Sequence, residues 1–197
     1  MNSALKITAV ILSGGRGMRF GGQDKGLQNY QGRALIEHVI AAIEPQVGNI
    51  IICANRNLKS YADYGFTVVQ DQSNDHQGPM AGISAAIVYL GEANPQDAIL
   101  ISSCDSPALT KNYVAKIANK IGSAEIAVVN DGQRNQNLHC LIKGSAWPSL
   151  QAFFDGGGRA MHRWFKQVGI VEVDFSEQAP CFQNINLLAD LEQQNDQ

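Results

Sequence analysis

The 197 residues hold no C-x-x-C pair, no apolar run near membrane-span length and no surplus of basic charge. Each absence removes a class of protein. Cys53, Cys104, Cys140 and Cys181 suit no common zinc spacing. Three of them stand in or at the end of apolar runs, where a thiol packs as a small hydrophobe. Free thiols in a reducing compartment are expected, not a disulfide framework. A membrane span takes about 20 apolar residues, and no leader-like apolar segment opens the chain. The expected location is the cytoplasm, with no membrane partner. A net charge of −3 excludes the global positive field that a nucleic-acid polymer would need. Internal repeats, low-complexity segments and clear linkers are also missing. A chain this long buries about 70% of its unfolded surface, so it needs no structural metal to fold.

What is present is an alternation. Ile7–Leu12, Asn49–Ala54, Phe66–Val69, Ala98–Ile101 and Ile126–Val129 read as buried strands, apolar on both faces. Between them, apolar residues recur at helical spacing over Ile36–Ile43, Met80–Leu90 and Val114–Ile121, with a short helix expected within Asn57–Tyr64. The expected fold is α/β: three layers, a mostly parallel sheet with helices on both faces. Beyond Asp131 the pattern weakens. Leu138–Ile142 is a further strand, read as antiparallel; Trp147–Phe154 and Ala160–Gln167 are helix candidates; Ile170–Val173 is a last strand, and Leu187–Leu191 a terminal helix. One domain over 1–197 is expected, with a first part over about 1–130 and a second part over about 131–197.

The first strand runs into Leu12-Ser13-Gly14-Gly15-Arg16-Gly17-Met18-Arg19-Phe20-Gly21-Gly22-Gln23-Asp24-Lys25. Glycines let bare N–H groups approach a ligand, and Arg16, Arg19 and Lys25 add positive charge. That combination suits a polyphosphate. A Walker A loop is excluded because Lys25 is followed by Gly26 and preceded by Asp24. A dinucleotide fingerprint is excluded because Phe20 takes the place of the third glycine. A glycine turn with solvated charges is the competing reading. Asn55-Arg56, Asp71 and Asp105 also follow strands, and ligands of such sheets gather outside the strands' carboxyl ends.

The pattern L-S-G-G-R-G-x-R-F-G-G-x-D-K-G resembles the signature loop of the molybdenum cofactor guanylyltransferases, within the wider nucleotidyltransferase group. The resemblance continues through Asn55-Arg56, Gln70-Asp71, Gly78-Pro79-Met80-Ala81-Gly82, Cys104-Asp105-Ser106-Pro107 and Phe182-Gln183-Asn184-Ile185-Asn186. It covers nearly the whole chain in the family's order. It implies a Rossmann-like nucleotidyltransferase fold. The implied reaction transfers GMP from GTP to molybdenum-bound molybdopterin, with Mg2+, yielding the guanine dinucleotide cofactor and pyrophosphate. The implied partners are cofactor-assembly proteins and acceptor molybdoenzymes, met transiently, with the 131–197 part serving the pterin and partners. The alternatives are a CTP-using molybdopterin cytidylyltransferase, a sugar-phosphate nucleotidyltransferase, or a non-catalytic nucleotide or cofactor carrier.

Residue by residue, Lys25, Arg19 and Asp105 are the expected catalytic residues. An ammonium on a flexible stem can follow charge onto a leaving group, and a guanidinium fork suits phosphate oxygens. By resemblance Asp105 is the metal ligand; an Asx turn or a cap ahead of Thr110 is its rival role. The resemblance places the nucleotide against Leu12, Ser13, Gly14, Gly15, Lys25, Cys53, Asp71, Gly78, Pro79 and Asp105, and the pterin against Asn184 and Asn186. Cys53 departs from the family, many members of which carry asparagine there, and a thiol is a poor hydrogen-bonding substitute for an amide. That departure bears on base selectivity, which Asn55 or a backbone group could supply instead. Turn or capping roles compete for Asp71, Asn184 and Asn186, and a packed or surface imidazole is expected of His139. Arg159 and Arg163 are read as a solvated helix face, with pterin phosphate contact as the alternative.

Overall fold

The computed structural model describes residues 5–13, 24–71 and 77–185. Strand β1 (Lys6–Leu12) is followed by a small hairpin, β2 (Asn29–Tyr30) and β3 (Arg33–Ala34), then by α1 (Leu35–Ile43) and β4 (Asn49–Cys53). Next come α2 (Leu58–Ala62), β5 (Thr67–Val69), α3 (Pro79–Leu90), β6 (Asp97–Ser103), α4 (Tyr113–Lys120) and β7 (Ile126–Asn130). β8 (Asn135–Lys143), α5 (Trp147–Asp155), α6 (Met161–Val168) and β9 (Val171–Asp174) complete the order, with a 3-10 segment over Ser176–Phe182. The expected helix at 187–191 lies outside the described residues.

Among the described residues, seven strands form one sheet in the order β5-β4-β1-β6-β8-β7-β9. β4, β1 and β6 pair in parallel, as do β4 with β5 and β7 with β9. β8 runs against its neighbours β6 and β7. Apolar residues alternate between faces because strand side chains do so with period two. Ala9, Ile11, Ile50, Ile52 and Leu100 pack with α1, α2 and α4 on one face. Val10, Leu12, Ile51, Ile99, Ile101 and Cys140 pack with α3, α5 and α6 on the other. Trp147 and Trp164 belong to that second cluster. All four cysteines are free; three are buried and Cys181 is partly exposed.

Two consequences matter for the site. The chain moves from β1 outward to β4 and β5, then returns to β6 on the other side of β1. The carboxyl ends of β1 and β6 therefore flank the switch point, where open α/β sheets leave a crevice. Because β8 is reversed, its amino end, Asn135 to His139, arrives at that same edge. No helix among the described residues is long and apolar enough to cross a membrane.

Candidate active site

Lys25 and Asp105, 80 residues apart, meet at the switch point: Lys25 Nζ donates to Asp105 Oδ2 at 2.5 Å. Their side chains keep 22% and 12% of their exposure, so the pair opens to solvent from a largely enclosed wall. Asp105 does not cap α4, whose first turn comes after Asn112. Its second oxygen, Oδ1, is buried and meets no hydrogen-bond partner among the described residues. A buried anionic oxygen without a donor is costly. It is also a hard ligand of the kind divalent cations take, in sites that combine one or two carboxylates with substrate phosphates. The donor set fits such a cation completed by substrate and water. Among the described residues, no three His, Cys, Asp or Glu side chains gather to cage a metal on their own.

Asp24 holds Lys25 in place. Its buried carboxylate accepts from the Tyr61 hydroxyl (2.5 Å), the Asn57 amide (3.1 Å) and the Gly26 N–H (3.2 Å). Burial, then Cys104 and then Asp24, pushes the Tyr61 phenol well above its ordinary range, so it stays a donor. Gly26 completes the D-K-G turn for a steric reason: a Cβ there would lie 2.6 Å from the Tyr61 oxygen. The sequence marked Asp24 only as a motif letter.

The neighbouring nucleotide candidates line the same edge. Ser13 N donates to the Cys53 carbonyl and Cys104 N to the Leu12 carbonyl, so these backbone groups tie β1 to the segments beside it. Asn55 and Asp71 grip each other, Nδ2 to Oδ2 at 2.6 Å and the Asp71 N–H to Oδ1 at 3.2 Å. Asp71 faces a cavity of about 490 Å3 bounded also by Ala81 of α3 and Phe154 of α5. Gly78, at φ 80°, turns the chain into α3, and Pro79 opens its first turn. Cys53 is directed elsewhere: its thiol donates to the Gly82 carbonyl at 3.2 Å, inside the α3-side core. Burial, with Asp71 adding to it, pushes that thiol up to about 12. The Cys53 side chain is thus committed to packing, and the amide nearest to its strand end is Asn55. Gly14, Gly15, Arg16, Arg19 and Asn186 lie outside the described residues.

Asn184 stands in an irregular segment after the 3-10 turn. Ile185 N donates to the Asp105 carbonyl at 3.0 Å, which brings Asn184 beside the pair. Arg159 precedes α6 and is partly buried, not on a solvated helix face: it donates to the Phe154 and Gly158 carbonyls and stacks on the Phe154 ring. His139 is packed, between the Ser106 hydroxyl and the Tyr113 hydroxyl.

Burial holds the His139 imidazole down at about 4, with Asp105 pulling weakly the other way. Once unfolded it regains its ordinary value near 6.5. Between those values the unfolded chain binds the extra proton, so stability falls as pH drops through the window and does not depend on this group above it. The loss is about 1.4 kcal/mol per pH unit, or about 3 kcal/mol by pH 4. Urea titrations at pH 7 and pH 4.5 should show His139→Gln losing less stability than the parent chain. Equal losses in both would mean that the imidazole is not buried neutral.

The model of the MobA-like NTP transferase domain matches residues 9–171. The chain is 42% identical over 185 residues to the molybdenum cofactor guanylyltransferase of Shewanella woodyi, covering 93% of this chain and 92% of that one. It is 40% identical, with the same coverage, to the protein of that name from another Shewanella species. Among solved structures it is similar to molybdopterin-guanine dinucleotide biosynthesis protein A from Archaeoglobus fulgidus, with a TM-score of 0.75, 19% identity and coverage of 96% and 97%. The 4-diphosphocytidyl-2C-methyl-D-erythritol synthase of Anaerococcus prevotii superposes with a TM-score of 0.69 at 11% identity, covering 98% of each chain. These two structural likenesses establish the fold alone: an open α/β sheet, mostly parallel, with helices on both faces.

Proposed function

The chain belongs to the MobA-like NTP transferase family, and from that membership we infer a molybdenum cofactor guanylyltransferase. It is a nucleotidyltransferase that joins GMP from GTP to the terminal phosphate of molybdenum-bound molybdopterin. An acceptor phosphate oxygen bonds to the α-phosphorus of GTP, the bond to the β-phosphate bridge breaks, and pyrophosphate leaves with the electron pair. The observation that carries the reaction is the Lys25–Asp105 pair at the β1/β6 crevice, with one Asp105 oxygen left without a donor among the described residues.

Attacking and leaving groups are both anions, so the protein's task is to neutralise and align them. Without substrate, Lys25 and Asp105 neutralise one another. A triphosphate draws the Lys25 ammonium onto its oxygens, and Lys25 follows the charge that builds on pyrophosphate. Asp105 is the residue that would hold Mg2+, whose charge offsets that of the phosphates. Asp24 keeps Lys25 at the right height, and Asn55 keeps Asp71 turned to the nucleotide side. Leu12, Ser13, Gly78 and Pro79 serve the nucleotide; the family resemblance assigns Gly14, Gly15 and Arg19 to the same substrate. Asn184 and Asn186 serve the pterin side, so the 1–130 part carries nucleotide and the 131–197 part carries pterin and partner contacts. Those partners are assembly proteins and acceptor molybdoenzymes, met transiently in the cytoplasm, where four free thiols remain reduced.

Pyrophosphate release, assayed with each nucleoside triphosphate with and without the molybdenum–pterin acceptor, tests this. Release is expected with GTP, Mg2+ and acceptor together. A preference for CTP would move the assignment to a cytidylyltransferase. Tight nucleotide binding without release would make the protein a carrier.

A further inference from the structure

A buried hydrogen-bonded line runs under the acceptor side of the crevice. Ser106 Oγ lies 3.0 Å from His139 Nε2 and 3.1 Å from Asn184 Oδ1, while the Tyr113 hydroxyl lies 3.2 Å from His139 Nδ1. Ser106, Tyr113 and His139 are buried and Asn184 is exposed. A hydroxyl has one proton to give, and an amide oxygen can only accept. Ser106 therefore donates to Asn184 and has to receive from His139. The neutral imidazole carries its proton on Nε2, and its bare Nδ1 accepts from Tyr113. Every donor points towards Asn184.

Asn184 lines a recess of about 250 Å3 together with Arg134, Gln136 and Asn137 from the reversed strand β8 and its approach. With its oxygen turned inward to Ser106, the Asn184 amide offers its NH2 to that recess. We infer that His139 is a positioning residue for the acceptor substrate: its Nε2 proton fixes Ser106 as a donor, which fixes Asn184 as a donor to acceptor oxygens. This rests on the guanylyltransferase reading, in which the recess takes the pterin phosphate compound. Without the imidazole proton, Ser106 is free to accept from Asn184 NH2, and the amide can turn its oxygen outward. Two acceptors would then face one another across the recess.

Steady-state kinetics of His139→Leu and His139→Gln test the inference. His139→Leu should raise KM for the molybdenum–pterin acceptor about tenfold, the value of one oriented hydrogen bond, and leave KM for GTP unchanged. His139→Gln, whose side-chain amide can donate to Ser106, should restore most of the loss. A merely structural role would shift both KM values together and would not favour Gln over Leu; that result overturns the inference. A second measurement needs neither substrate nor variant: 15N shifts of the His139 ring in the parent protein should report the Nε2–H tautomer. An Nδ1–H tautomer would also overturn it. A parent chain unable to transfer GMP to the pterin would sink the guanylyltransferase reading instead, with the tautomer still deciding the direction of the line.

Discussion

Lys25→Ala should lower the rate of pyrophosphate release by roughly 100- to 1000-fold, the range found when one preorganised donor is removed from a charge-developing site. The fold should survive. The Lys25 side chain belongs to neither of the two large core clusters, and the turn around it is held by Asp24 through Tyr61, Asn57 and Gly26. The stranded Asp105 carboxylate can be relieved by water or a cation through the opening that the lost side chain leaves. A melting temperature within a few degrees of the parent and an unchanged far-UV spectrum should therefore accompany the loss. Lys25→Arg should recover part of the rate, since it restores charge but replaces a compact ammonium with a wider fork. Activity within a few-fold of the parent in Lys25→Ala would remove the residue from the reaction.

Much of this site is legible in the sequence, because of where the residues fall in the chain. Ile7–Leu12 and Ala98–Ile101 are apolar on both faces, so they have to be interior strands, and the loops that leave interior parallel strands gather at one edge of the sheet. That logic brings Lys25 and Asp105 to the same edge; their contact is a matter of the fold. Partners set by the fold at long range are not legible. Asp24 is held by Asn57 and Tyr61, 33 and 37 residues later, and no periodicity links them. His139 reads as a packed or surface imidazole even with its strand read as antiparallel, because its partners Ser106 and Tyr113 come from elsewhere in the chain. Asn135 to Asn137 are polar, which hides the first part of β8 from an apolar pattern. The Asn29–Ala34 hairpin escapes the sequence because two-residue strands show no alternation; its turn is made by Gln31 and Gly32, both at positive φ. Cys53 reads, from its hydrogen-bonding poverty, as a weakened ligand contact. The structure gives it a packing role against Gly82, where an added Cβ would lie 3.2 Å from the Cys53 Cβ.

Asp105→Asn should reduce turnover by about 1000-fold and, as a separable effect, raise the Mg2+ concentration for half-maximal activity more than tenfold. The size comes from the charge removed. Two unit charges about 4 Å apart at an effective dielectric of 20 interact by about 4 kcal/mol, and each 1.36 kcal/mol is about tenfold in rate. The substitution keeps the shape and an oxygen that can still accept from Lys25, so it deletes charge and little else. Two roles for Asp105 predict different patterns. If the carboxylate only steadies Lys25, the Mg2+ dependence of Asp105→Asn stays that of the parent, and the double variant with Lys25→Ala is no slower than Lys25→Ala alone. If it holds the cation, Mg2+ affinity falls in both backgrounds and the double variant is slower than either single one. The buried Oδ1 favours the second outcome. Only one oxygen of the carboxylate serves Lys25; the other is buried and has no donor among the described residues, which is costly unless a cation or solvent reaches it.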